Sequence, residues 1–184
     1  VNIIWSDSNT HFRGDNNYRR SGEVDGMRLP KAGFYAHQVM WNGWVEPEPG
    51  THIVGHWNYA PGTVKPQMVV STGEQVELFL NGRSLGQGER TDGFLFTWPG
   101  VTWAGGVLEA VATHADGAIT RHKVETTGAP AALKLTPHTS PRGLVLDGAD
   151  IALVDVEVVD ADGRRVPVAN DMIRWTLEGP AEWR

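Results

Sequence analysis

From residue 51 to 127 the chain alternates apolar and polar side chains with the two-residue period of half-buried strands. In Val76-Glu77-Leu78-Phe79-Leu80 that period sets Val76, Leu78 and Leu80 on one face. Asn81-Gly82 follows, a dipeptide suited to a tight hairpin because both of its residues accept positive φ. Leu108, Ala110 and Ala112 make a second inward row, and Asp116-Gly117 separates it from a strand over 119–124. A one-residue slip in either row would turn the apolar set into water, so the pattern also fixes the register. The segment is expected to be a complete antiparallel sandwich. After Gly128-Ala129-Pro130 the alternation restarts, with strands expected over 132–135, 154–158 and 173–177. Val154, Val156 and Val158 share a face, and Asp160-Ala161-Asp162-Gly163 is the turn between strands.

The first fifty residues read differently. Residues 1–5 are a short apolar run suited to a strand buried on both faces, as in a parallel sheet. Residues 6–25 are polar and lack a period. Pro30 leads into 33–41, where Tyr35, Val39 and Met40 suit a short helix. Glu46-Pro47-Glu48-Pro49-Gly50 fits neither a helix interior nor a central strand, and is taken as a boundary. Three parts are therefore expected: 1–45, 51–127 and 130–184. The third has room for about four strands where an immunoglobulin-like sandwich has about seven, so it should be partial. The two β parts also rhyme: 76–85 and 156–166 each run V-E-[LV], a turn ending in glycine, arginine, and a return strand.

Composition narrows the classes. The 22 glycines and 11 prolines favour many short strands and tight turns. A formal charge of −6 provides no basic face for nucleic acid. No apolar run reaches the length of a membrane span. There is no cysteine, which removes disulfides, thiolate metal sites and a cysteine nucleophile. The first residues do not have the make-up of a signal peptide, and the chain starts without methionine, so it reads as a piece of something longer.

Three stretches together resemble glycoside hydrolase family 2, the β-galactosidase and β-glucuronidase family. Asn2-Ile3-Ile4-Trp5-Ser6-Asp7-Ser8-Asn9-Thr10-His11 is similar to the last strand of that family's catalytic barrel and the loop after it, and Arg28-Leu29-Pro30-Lys31, ahead of Tyr35 and Trp41, to the barrel's final helix. His52-Ile53-Val54-Gly55-His56-Trp57-Asn58-Tyr59 with Val76-Glu77-Leu78-Phe79-Leu80-Asn81-Gly82-Arg83-Ser84-Leu85-Gly86 resembles the sandwich that follows the barrel. Asp147-Gly148-Ala149-Asp150 through 156–163 to Glu178-Gly179-Pro180-Ala181 resembles the next sandwich in long bacterial members. The fold implied is mainly β: an immunoglobulin-like antiparallel sandwich, preceded by a remnant of a (β/α)8 barrel and followed by a partial second sandwich.

What the resemblance implies about function is specific. Retaining glycosidases use two carboxyl groups about 5–5.5 Å apart, one as acid/base and one as nucleophile. In the family the acid/base glutamate follows an asparagine on an earlier strand and the nucleophile lies on the strand before the last. No Asn-Glu pair occurs here, and the carboxylates Glu77, Glu109, Asp155 and Glu157 alternate with apolar residues as solvent-facing strand positions do. The chain alone is thus expected to be inactive, an accessory region of an enzyme acting on terminal β-galactosides or related glycosides. By resemblance Trp5 ends the last barrel strand and forms part of the sugar pocket, where an indole face stacks on a pyranose. Asp7, Asn9 and His11 follow in the loop lining that pocket, with ordinary solvated loop positions as the alternative. No metal or cofactor is implied, and the partners are a carbohydrate substrate and the preceding barrel. A homo-oligomer is left open, and family habit points to a periplasmic or secreted location.

Several other residues invite a second reading. Trp98, Trp103 and Trp175 could form a carbohydrate-binding platform, making the chain a binding or adhesion module, but core or interface packing is the favoured reading of them. His56-Trp57-Asn58 is read as a brace of the sandwich against the barrel. Asp160, Asp162 and Gly163 superficially resemble a calcium loop, yet the closing glutamate is missing and a polar hairpin turn explains them. His37 has no second metal ligand at helical spacing.

Overall fold

The structure is a computed structural model that describes residues 5–8, 20–46, 48–145 and 147–182. It divides into two compact units, Val1–Thr126 and Thr127–Arg184. Residues 1–4, which carry most of the expected first strand, lie outside the described residues, as do Asn9 and His11.

The first unit begins with one helix, α1 (Ala32–Val45), longer than the 33–41 expected. It runs on to Glu46, which turns to an extended conformation (φ −122°, ψ 124°). The physical cause is Pro47, since the residue before a proline is excluded from the helical region. Eight strands follow: β1 (Thr51–Ile53), β2 (Val64–Ser71), β3 (Gln75–Leu80), β4 (Arg83–Gln87), β5 (Glu89–Asp92), β6 (Leu95–Thr102), β7 (Val107–Thr113) and β8 (Ile119–Glu125). They form two four-stranded antiparallel sheets, ordered β1-β2-β6-β5 and β4-β3-β7-β8.

The sheets meet over the core that the alternation predicts. Ile53, Val69, Phe96, Trp98 and Val101 from one sheet pack with Val76, Leu78, Leu108, Ala110 and Ala112 from the other, and Leu80 is packed against the cluster. Leu78 is completely buried and lies opposite Ala110 in the ladder. Asn81 and Gly82, at φ 52° and 79°, form the β3–β4 hairpin turn. The Asn81 carboxamide has a second role, accepting from the Val107 amide (2.8 Å) and donating to the Gly105 carbonyl (2.9 Å), so the turn is tied to the start of β7. In β2 the register shifts between Lys65 and Gln67. Pro66 stands between them and has no amide to give the ladder, so the strand bulges there.

The outer face of the first sheet receives α1. His52 and Val70 are ladder partners on that face, opposite to Ile53 and Val69. Tyr35 stacks on His52, and Trp44 meets Phe94 edge-on at 5.5 Å. Gly43 sets the approach: a Cβ there would come within 2.6 Å of Thr72 Cγ2 and 2.9 Å of the Phe94 ring. The proline-rich run thus connects parts of one packed unit.

In the second unit, β9 (Ala132–His138) pairs antiparallel with β10 (Leu153–Val159). Val154, Val156 and Val158 share a face with Leu133 and Leu135, as the alternation requires, but Leu133, Leu135 and Val154 remain about half exposed. The other face carries a Lys134–Glu157 pair at 3.0 Å and a His138–Asp155 pair at 2.7 Å. The expected strand over 173–177 is not formed: those residues are irregular, with Trp175 and Leu177 exposed. A strand is held by its ladder, and among the described residues no strand edge pairs with this segment. The rhyme between the two β parts also stops at the turn, since Arg165 makes only an isolated bridge to Val159 where β4 forms a full strand.

Candidate functional site

The segment bearing Trp5 is stitched to the chain ahead of α1 by main-chain bonds. The Trp5 carbonyl accepts from the amides of Glu23 (2.9 Å) and Val24 (3.1 Å), and the Asp7 amide donates to the Val24 carbonyl (2.9 Å). Ser6 and Val24 form a parallel bridge, and Val24 pairs antiparallel with Pro30 on its other side. Gly22 is required for this approach, because a Cβ would stand 2.3 Å from the Asp7 nitrogen.

Asp7 is 8% exposed, and its carboxylate is held from the protein side. One oxygen accepts from the Gly22 amide (2.8 Å) and from Lys31 Nζ (2.9 Å). Lys31 Nζ also donates to the Arg20 carbonyl at 3.0 Å. The hydrogen-bonded Lys31 ammonium holds the Asp7 carboxyl below the usual range; the Gly22 amide and the charge of Arg20 add to this and burial opposes it. Lys31 occupies the N-cap of α1, so the ion pair joins the Trp5 segment to the start of the helix.

Trp5 itself is 52% exposed and meets Phe34 of α1 edge-on, ring centres 5.8 Å apart. From there an aromatic row runs through Tyr35 (5.4 Å) and His52 (5.0 Å) to His122 (4.3 Å), linking the indole to the sandwich. Beside Trp5 lies an open groove of about 570 Å³, lined by Glu23, Phe34, His37, Gln38, Met40, Trp41, Asn42 and Trp44 as well as Trp5. Glu23, 7% exposed, pairs with His37 within it. Aromatic faces and amide groups make the groove able to receive a sugar or another apolar surface. Among the described residues that line it, Glu23 is the only carboxylate.

The remaining candidates are divided by burial. Trp98 is in the core and donates to the Gly86 carbonyl (3.1 Å); Trp103 packs against the core and donates to the Trp57 carbonyl (3.2 Å). Trp98 is buried, Trp103 is partly buried, and of the proposed platform Trp175 alone is largely exposed. Trp57 is buried, donates to the Ala104 carbonyl (2.9 Å) and accepts from the Thr126 hydroxyl (2.7 Å), so it braces the sandwich from within. Asp160 is a turn residue: its carboxylate accepts from the amides of Gly128, Asp162 and Arg164 and from the Arg164 guanidinium. These bonds, led by that of Gly128, lower its carboxyl to about 2.

Sequence reasoning missed Glu23, Lys31 and Phe34 as partners of the Trp5 segment. Glu23 lies in a stretch with no period, and Lys31 looks like an ordinary residue before a helix. Pairings across 15 to 24 residues of irregular chain leave no repeating signal.

The chain belongs to glycoside hydrolase family 2. Residues 133–184 match the glycoside hydrolase family 2 C-terminal domain 5, and residues 62–120 match a domain of unknown function (DUF4982). A beta-glucuronidase from Formosa agariphila is 48% identical over 167 residues, covering 90% of this chain and 17% of that protein. A beta-galactosidase from Bacteroides ovatus is 31% identical over 160 residues, covering 86% of this chain and 18% of that protein. A solved structure of a beta-glucuronidase from glycoside hydrolase family 2 superposes with a TM-score of 0.81 at 47% identity, over 90% of this chain and 17% of that one. The chain therefore spans under a fifth of the length of the curated relatives it matches.

Proposed function

We propose that the chain is the accessory end of a retaining exo-glycosidase, in which residues 1–45 complete a catalytic barrel and 51–127 and 130–184 are immunoglobulin-like domains. The observation that carries this reading is Trp5, half exposed at the rim of an aromatic groove while its backbone is locked in place. An indole held in this way offers a flat apolar face to a pyranose. Asn9 and His11, further along the sequence, are the proposed partners for sugar hydroxyls. The exposed side chains of Trp41 and Trp44 are the proposed seat of the preceding barrel elements, which bring both catalytic carboxyls.

For the substrate, relatedness favours a terminal β-glucuronide, since the 48%-identical relative is named a beta-glucuronidase. A β-galactoside is the second reading, supported by the 31%-identical beta-galactosidase. Assay of the full-length enzyme on aryl β-glucuronide and aryl β-galactoside separates them. In that enzyme Trp5→Ala should lower kcat/KM roughly ten- to a hundredfold with little change in melting temperature. Near-normal kcat/KM with lost thermal stability would make Trp5 a structural residue. The 184-residue chain alone should show no turnover, and activity abolished by mutating one of its own carboxylates would refute the accessory reading.

A further inference from the structure

Asp7 stands two residues from the exposed indole, yet its carboxylate faces inward. We infer that Asp7 and Lys31 form a positioning pair, which fixes the Trp5 indole in its sugar-facing pose instead of contacting sugar directly. The inference rests on the reading of Trp5 given above.

Two connections hold the indole. The first is main-chain: the Trp5 carbonyl is gripped by the Glu23 and Val24 amides. The second is the edge contact with Phe34, three residues after Lys31 on α1. Asp7 secures both. Through Gly22 it fixes the segment that supplies the two amides, and through Lys31 it fixes the start of the helix that presents Phe34. Lys31 closes the loop, donating from its ammonium to the Arg20 carbonyl (3.0 Å) and from its amide to the Glu23 carbonyl (2.8 Å). With one oxygen accepting two donors and the side chain 6% exposed, Asp7 is poorly placed to reach a ligand. Without the pair, the Trp5 segment and α1 lose their common tether, and the indole can tilt away from the edge of Phe34.

The test is a double-mutant cycle in the full-length enzyme, reading kcat/KM on the aryl glycoside it turns over together with melting temperature. Asp7→Asn keeps an acceptor for the Gly22 amide but removes the ion pair, and should lower kcat/KM roughly tenfold. In the Trp5→Ala background the same change should cost less than about twofold, since a missing indole cannot be mispositioned. Lys31→Met should reproduce the pattern from the more exposed partner, and Lys31→Arg should restore most of the activity; these serve if Asp7→Asn does not fold. Equal losses in both backgrounds, with Trp5→Ala itself impaired, would overturn the inference alone and make Asp7 a direct sugar contact or a general stabiliser. Unimpaired Trp5→Ala would overturn the reading of Trp5, and the inference with it.

Discussion

The Tyr35 ring lies stacked on the His52 imidazole, ring centres 5.0 Å apart and planes 25° from parallel. Tyr35 belongs to α1 and His52 to β1, so this contact is one of the points at which the helix is seated on the sandwich. Behind His52 is His122 of β8, whose Nδ1 accepts from the Ile53 amide at 3.2 Å and therefore carries no proton. Tyr35 from α1 lies on His52, Val70 of β2 is the ladder partner of His52, and Ala110 of β7 is the ladder partner of His122. Arg121 and Lys123, which flank His122, point to the opposite face and pair with Glu109.

Burial lowers His52 to about 4, with the neighbouring His122 adding to the effect, and burial lowers His122 as well. In the unfolded chain both take up protons near 6.5. Between about 6.5 and 4 the unfolded state thus binds more protons, and stability falls as pH drops through that window. Above it the two states are equally neutral and the effect vanishes. Melting temperature measured against pH should be flat near 7–8 and decline below 6.5. His52→Phe, which keeps the ring stack, should lessen the decline, the remainder coming from His122 and His56, which burial also lowers; an unchanged acid slope would refute this assignment.

Leu78→Ala should destabilise the first unit by about 2–5 kcal/mol, because the side chain is wholly enclosed between the sheets. Glu77→Ala, on the other face of β3, should cost about 1 kcal/mol or less, losing mainly the Ser84 hydrogen bond. Denaturant titration of the two variants checks the register directly.

Two glycines of α1 should respond with opposite sign. Gly33→Ala meets nothing closer than the Glu23 side chain at 3.7 Å, so the gain in helix propensity should stabilise by about 0.5–1 kcal/mol. Gly43→Ala places a methyl against Thr72 and Phe94 and should destabilise by about 1–2 kcal/mol despite the same propensity gain. Paired thermal melts decide it; stabilisation by both would mean that α1 is not seated as described.

Asp160→Ala should loosen the second unit, leaving the amides of Gly128, Asp162 and Arg164 without their acceptor. Faster proteolysis near 160–164 and a lower melting temperature are expected. Asp162→Ala, which loses only an exposed pair with Arg164, should change little.

What was legible in the sequence followed local rules. Val76, Leu78 and Leu80 declare their face because a strand has period two, and Asn81-Gly82 declares its turn because few other pairs tolerate its dihedrals. The end of α1 was legible too, in Pro47, although the expected helix stopped four residues short. The strand over 173–177 failed because apolar alternation records which face a strand would bury, not whether a partner edge exists. Trp5 and Asp7 are singled out in the sequence only by resemblance, Asp7 as a lining residue of a sugar pocket, whereas its carboxylate pairs with Lys31. Their supports, Gly22, Glu23, Lys31 and Phe34, are joined by tertiary hydrogen bonds and ring contacts that follow no period.

The seat of α1 also governs where this chain can be recombined with its relatives. A crossover within 46–50 is inviting on sequence, since prolines and glycine suggest a dispensable hinge. It would place a foreign Thr72 or Phe94 beneath Gly43, and a foreign residue 52 beneath Tyr35. Chimeras joined there would inherit a mismatched bearing surface, whereas the helix and sandwich exchanged together would carry their fit with them. The unit of inheritance is the pair, and the proline run lies inside it.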